Sequence, residues 1–166
     1  MPTSKFGASA LDSPEFGWMH RGTAPVADEG GLVSGMQIAR TLHDSATDLV
    51  AELFGVSSPA EFSSLAVRPI LRAVGATFER PLFPGTPVFT GATLGMLSER
   101  SFALITGIWS AADRRLCAHG TASFVAINVE SQRAVPLPDA AVESLRRLRP
   151  DLSATVGEGP TPASPT

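Results

Sequence analysis

The feature that most constrains this chain is one long amphipathic segment followed by a run of strand-like segments with no second long helix between them. In LVSGMQIARTLHDSATDLVAELFG, residues 32–55, Met36, Ala39, Leu42, Ala46, Leu49, Val50 and Leu53 recur at steps of three and four. Arg40, Asp44 and Asp48 fall on the opposite side. That period belongs to a helix with one buried face, and Gly55 is a natural stop. The pattern then changes. Leu65 to Arg80, Pro87 to Leu97, Ser101 to Ala111 and Leu116 to Val129 read as strands, with SAADRRL a hairpin turn. A short strand is expected over Glu15 to Thr23, and a short helix over Asp139 to Arg147. Strands that follow one another without crossover helices pair antiparallel. The expected architecture is therefore α+β: a long central helix wrapped by a curved antiparallel sheet.

The 166 residues suit one domain, expected over 15–150. Residues 1–14 are rich in Ser, Pro and Gly, and 151–166 (DLSATVGEGPTPASPT) are poor in apolar residues. Both are expected to be disordered. A net charge of −3 gives no electrostatic footprint for nucleic acid and no polybasic patch for a membrane. Neither a signal-peptide core nor a membrane-length apolar run stands out, so a cytoplasmic location is expected. The lone Cys117 supports neither a disulfide framework nor a thiolate zinc site. His20, His43 and His119 lack metal-ligand spacing, and no phosphate-binding loop or nucleophile elbow is present. Neither a metal nor another cofactor is expected.

Three stretches resemble the 4-hydroxybenzoyl-CoA thioesterase branch of the hotdog superfamily. Asp28 to Gly35, DEGGLVSG, stands where that family has Asp-x-x-Gly-His-Val-Asn-Asn. Asp28, Gly31 and Val33 match, while Leu32, Ser34 and Gly35 replace the His and both Asn. FERPLFPGTPVF, 78–89, resembles the family's aromatic-x-x-Pro-x-x-x-Gly-Asp segment, with Thr86 for the Asp. AHGTASFVAINVESQRAVPLP, 118–138, resembles its closing strand and the continuation after it. The segment GLVSGM is also similar to the helix start of a second thioesterase branch, again without its His.

The resemblance implies a hotdog fold, an acyl thioester of coenzyme A or an acyl carrier protein as substrate, and self-association as a homodimer or homotetramer. It places the catalytic carboxylate at Asp28, with Glu29 as the neighbouring rival. The second branch puts its catalytic acid near mid-helix, where His43 and Asp44 stand. The chemistry is consistent with that placement. A helix start offers unpaired N–H groups and a positive dipole end, which can hold a carbonyl oxygen as it becomes negative. Gly31, Leu32, Val33 and Ser34 are the residues expected to do so, with Ser34 the candidate helix cap. Two other functions fit the same fold. One is a dehydratase or hydratase acting on an acyl thioester, which would draw on a His such as His20 or His119. The other is a non-catalytic acyl-thioester binder, to which the missing His and Asn residues would point.

Overall fold

The computed structural model describes residues 18–23, 31 and 33–149. Their order is β1 (Trp18–Thr23), α1 (Gly35–Leu53), a 3₁₀ turn (Pro59–Ser64), β2 (Val67–Phe78), β3 (Pro87–Leu97), β4 (Ser101–Ser110), β5 (Leu116–Asn128), the two-residue β6 (Arg133–Ala134) and α2 (Asp139–Leu148). All strand pairs are antiparallel, in the order β1-β3-β4-β5-β2, and β6 pairs with β5. The helix packs against this sheet as expected, and the fold is the hotdog fold. The stretches expected to be disordered, 1–14 and 151–166, lie outside the described residues.

The helix begins three residues later than the sequence pattern suggests. Ser34 sits in extended geometry and its hydroxyl accepts the Gln37 amide at 3.2 Å, while the Gln37 side chain accepts the Ser34 amide at 3.0 Å. This reciprocal capping box satisfies two donors that helix termini otherwise leave open. At the far end Gly55 takes φ 73°, a left-handed conformation that glycine adopts without a Cβ penalty. The buried stripe runs through Ile38, Leu42, Ser45, Ala46, Leu49, Val50, Ala51 and Leu53. Met36, expected on that stripe, is 81% exposed. It stands two residues before Ile38, about 200° round the helix, so only one of the two can face the sheet. The first strand after the helix, expected over Leu65 to Arg80, is two residues shorter at each end: Leu65 caps the Pro59–Ser64 turn, and the Glu79 and Arg80 amides both turn onto the Cys117 carbonyl.

Along the strands, side chains alternate between the helix face and the outer face. Toward α1 lie Ala92 and Leu94 of β3, Phe102 and Leu104 of β4, and Ala122 and Phe124 of β5, all under 3% exposed. Phe102 stacks on Phe124 with ring centroids 5.3 Å apart. Register shifts at Leu71/Ala73, Leu94/Met96 and Ile108/Trp109 mark bulges. Bulges raise local twist and bend a strand, which lets the sheet curl round one helix.

Small residues set how closely the strands approach. A Cβ at Gly120 of β5 would run into the Gly75 carbonyl of β2, a backbone atom that cannot swing aside. Gly120→Ala is therefore expected to destabilise the fold by about 1–3 kcal/mol. Denaturant unfolding should show a lower midpoint with an unchanged slope, and an unchanged midpoint would mean that β2 shifts freely.

Candidate functional site at the start of the central helix

Three segments meet at the N-terminal end of α1. The Val33 amide donates to the Leu82 carbonyl at 3.1 Å, tying the helix approach to the loop after β2. Beyond β2, the Glu79 and Arg80 amides both donate to the Cys117 carbonyl of β5, at 2.9 and 3.1 Å. Val33, Ile38, Leu42, Leu82, Val88, Ile108, Cys117 and Ala118 form the apolar floor beneath. The Phe78 ring lies against Gly35, where an added Cβ would stand 3.2 Å from it. Between these parts is an open recess of about 360 Å³, lined by Val33, Gly35, Ile38, Phe78 and Pro81–Leu82, with Glu79 and Arg80 at its rim.

The recess is apolar, yet it contains the electropositive end of a five-turn helix. The amides at this end of the helix are not equivalent. Those of Val33 and Ser34, both expected to bind substrate, are already bonded to Leu82 and Gln37. The Gly35 and Met36 amides, at the first two helical positions, have no partner among the described residues. So does the Gly31 amide, on an exposed residue at φ 77°. The expectation therefore moves by one to two residues along the chain: Val33 is a buried anchor, Ser34 is the cap, and the open donors at the helix start belong to Gly35 and Met36. Sequence reading missed this because donors within a helix start can be told apart only when their acceptors are seen. Asp28, Glu29 and Leu32 lie outside the described residues.

The mid-helix pair stands apart. His43 Nδ1 lies 3.3 Å from Asp44 Oδ1 and its Nε2 lies 3.3 Å from Thr47 Oγ1, while Asp44 also contacts Arg40 at 3.7 Å. These two residues are together as expected, but they sit eight and nine residues beyond Gly35, about 12–14 Å along the helix axis. Asp44 is exposed and neither residue lines the recess. Within one subunit they do not converge on the helix start.

A histidine–carboxylate contact and an ion pair flank the recess instead. His119 Nε2 is 3.0 Å from Glu79 Oε1, and Arg80 Nη1 is 3.2 Å from Asp113 Oδ2. Asp113 is held below the ordinary carboxylate range, chiefly by the Arg115 amide donating to it and further by the Arg80 guanidinium. Burial pushes the Cys117 thiol upward, away from the thiolate a nucleophile needs. Among the described residues no group of three or more His, Cys, Asp or Glu could hold a metal, and no helix is long and apolar enough to cross a membrane. A second recess, of about 400 Å³, lies at the other end of α1, near Phe54, Leu65 and Ala141. It faces the negative dipole end, which would oppose a developing oxyanion.

Among solved structures, the chain is similar to Slr0204, a 1,4-dihydroxy-2-naphthoyl-CoA thioesterase from Synechocystis, at 18% identity and TM-score 0.68, with 82% of this chain and 97% of that one covered. It is similar to the gentisyl-coenzyme A thioesterase BH1999 at 18% identity and TM-score 0.64, covering 76% and 98%. It is also similar to SAV2348 from Staphylococcus aureus, solved in complex with CoA, at 16% identity and TM-score 0.66, covering 89% and 88%. At these identities the likeness establishes the fold. No curated protein sequence matches the chain significantly. A family model described as the thioesterase-like superfamily matches residues 26–145, which span the helix approach, the recess and strands β2 to β6. On that match, this chain belongs to the thioesterase-like superfamily.

Proposed function

We propose that the protein hydrolyses an acyl thioester carried by coenzyme A or an acyl carrier protein. The observation that carries this reading is the apolar recess at the positive end of α1, lined by Gly35, whose amide, like that of the adjacent Met36, has no partner among the described residues. Such a site accepts an uncharged acyl group and stabilises the negative oxygen formed on attack. The thioester carbonyl would lie over Gly35, its oxygen toward the Gly35 and Met36 amides. Asp28, seven residues earlier, is the proposed base or nucleophile, with Glu29 as its rival. As a base it takes a proton from water, the hydroxide oxygen bonds to the carbonyl carbon, and the carbon–sulfur bond then breaks, the sulfur leaving as thiolate and taking up a proton. As a nucleophile it forms a mixed anhydride that water opens. Neither route calls on a metal or organic cofactor. The activities named for the structurally similar proteins, two of them CoA thioesterases, support this substrate class.

A panel of acyl-CoA and acyl-carrier thioesters, assayed for free thiol and for altered acyl product, tests the reading. Thiol release supports it. Hydration or dehydration of the acyl chain without thiol release would make the protein a lyase, with His119, which contacts Glu79 at the recess, the candidate histidine. Tight binding without turnover would make it a carrier-binding protein.

Assembly is part of the proposal. Among the described residues, strand β2 is at the edge of the sheet and pairs only with β5. Ile70, Val74 and Phe78 along it are 45–51% exposed, and Met36 stands nearby on α1. An open, apolar edge of this kind invites another strand. The expected solution mass is two or four times 17.3 kDa, with the recess lying at the junction of two subunits. Sedimentation at micromolar concentration showing only monomer would overturn this assembly. Val74→Arg should shift the population toward monomer.

A further inference from the structure

We infer that the β4–β5 hairpin tip, through Arg114 and Arg115, binds the phosphates of coenzyme A and so selects the carrier; this rests on the thioesterase reading. Arg80 connects the tip to the recess, because it stands at the rim and reaches Asp113 in the tip. The local carboxylates are already engaged, Asp113 by Arg80 and Glu79 by His119. Arg114 and Arg115 are exposed and have no ion pair among the described residues. Two uncompensated guanidiniums thus stand side by side on a chain whose net charge is −3.

The tip is held in shape. Arg114 takes φ 56° and its amide donates to the Ser110 carbonyl at 2.9 Å. The Arg115 amide donates to Asp113 Oδ1 at 3.1 Å, and the Arg115 carbonyl accepts the Ser110 amide at 3.0 Å. Anchoring the backbone this way lowers the cost of fixing two long side chains on a ligand. A guanidinium fork matches a phosphate's oxygens in a way that a single ammonium does not.

Spacing points to the ligand. Ala118 pairs with Phe78, whose ring touches Gly35, so that register marks the level of the proposed thioester. Arg115 lies three residues before Ala118, roughly 10 Å by strand rise, and its long side chain adds to that reach. A pantetheine arm separates thioester from phosphates in coenzyme A, and the tip is joined to the recess through the Arg80–Asp113 pair. Two adjacent guanidiniums are a small target that suits a nucleotide's phosphates better than the broad acidic face of a carrier protein.

The test compares wild type with the Arg114→Ala/Arg115→Ala double variant on three substrates sharing one acyl group: the CoA thioester, the acyl-carrier thioester and the phosphate-free N-acetylcysteamine thioester. For the CoA thioester KM should rise about tenfold or more with kcat nearly unchanged, as expected for losing charged hydrogen bonds that act on binding alone. The phosphate-free substrate should be unaffected, and added salt should shrink the difference between the two proteins. The Lys/Lys variant should recover part of the KM. An unchanged KM for the CoA thioester, or equal losses on the CoA and phosphate-free substrates, would overturn the inference. A loss confined to the acyl-carrier thioester would overturn it in favour of a protein carrier. Calorimetry with adenosine 3′,5′-bisphosphate separates this from the function itself: wild type should bind it and the double variant should not, even if no thioester is hydrolysed.

Discussion

Replacing Asp28 by Asn is expected to lower turnover at least about 100-fold while leaving folding and substrate binding intact. The substitution keeps the shape of the side chain and removes its charge and its ability to accept a proton. General-base catalysis is worth about 10²–10⁴-fold, and a lost nucleophile costs no less, so the lower bound holds for either route. Because the open amides at Gly35 and Met36 do not depend on this side chain, ground-state binding should survive and the loss should appear in kcat rather than KM. Glu29→Gln and Asp44→Asn should each cost only a few-fold. Single-turnover assays with the three variants check this. Activity within a few-fold of wild type for Asp28→Asn would make that carboxylate structural and leave water attacking under the helix amides alone. A large loss for Asp44→Asn instead would move the chemistry to mid-helix, where a second subunit would have to bring a thioester to His43 and Asp44.

The fold was legible because its main signals are periodic. The central helix, the four long strands and the terminal helix follow from spacing and from the lack of a second long helix between strands. Errors fell where periodicity is silent or fits two neighbouring positions equally well. Met36 looked apolar-periodic, but the buried stripe passes through Ile38, and Val33 fills the corner under the helix start. The Pro59–Ser64 turn carries no period, so no element is expected there. At the site, the sequence pointed to the start of α1, where the structure has a recess, yet not to which amides there lack a partner among the described residues. It could not show that Val33 is bonded to Leu82, a contact across 49 positions that depends on how β2 leaves the sheet. The Phe78–Leu82 segment was recognisable as a motif, but its place as one wall of the recess comes only from the packing of Phe78 on Gly35. The Glu79–His119 and Arg80–Asp113 pairs span 40 and 33 positions, which local patterning cannot detect.

Gly35→Pro, read against Gly35→Ala, should lower kcat by a further factor of about 100 or more, the cost of removing one oxyanion donor. Gly35 is the first residue of α1, where the amide has no helical partner to lose and proline's fixed φ suits the helix. The preceding residue, Ser34, already has φ −67° and ψ 155°, within the region a residue before proline prefers. Proline can therefore delete the N–H with little structural cost. Alanine supplies the control, since it brings a Cβ to the same point, 3.2 Å from the Phe78 ring, and keeps the donor. That ring is half-exposed and can yield by the few tenths of an ångström required, so Gly35→Ala should change KM modestly and kcat little. Val33→Pro would not serve, because its amide holds the Leu82 carbonyl and its loss would loosen the wall of the recess. Matching melting temperatures for the two Gly35 variants would establish that both helices start normally. Equal kcat for the two would then show that the Gly35 amide takes no part, leaving Met36 and Gly31 to hold the oxyanion.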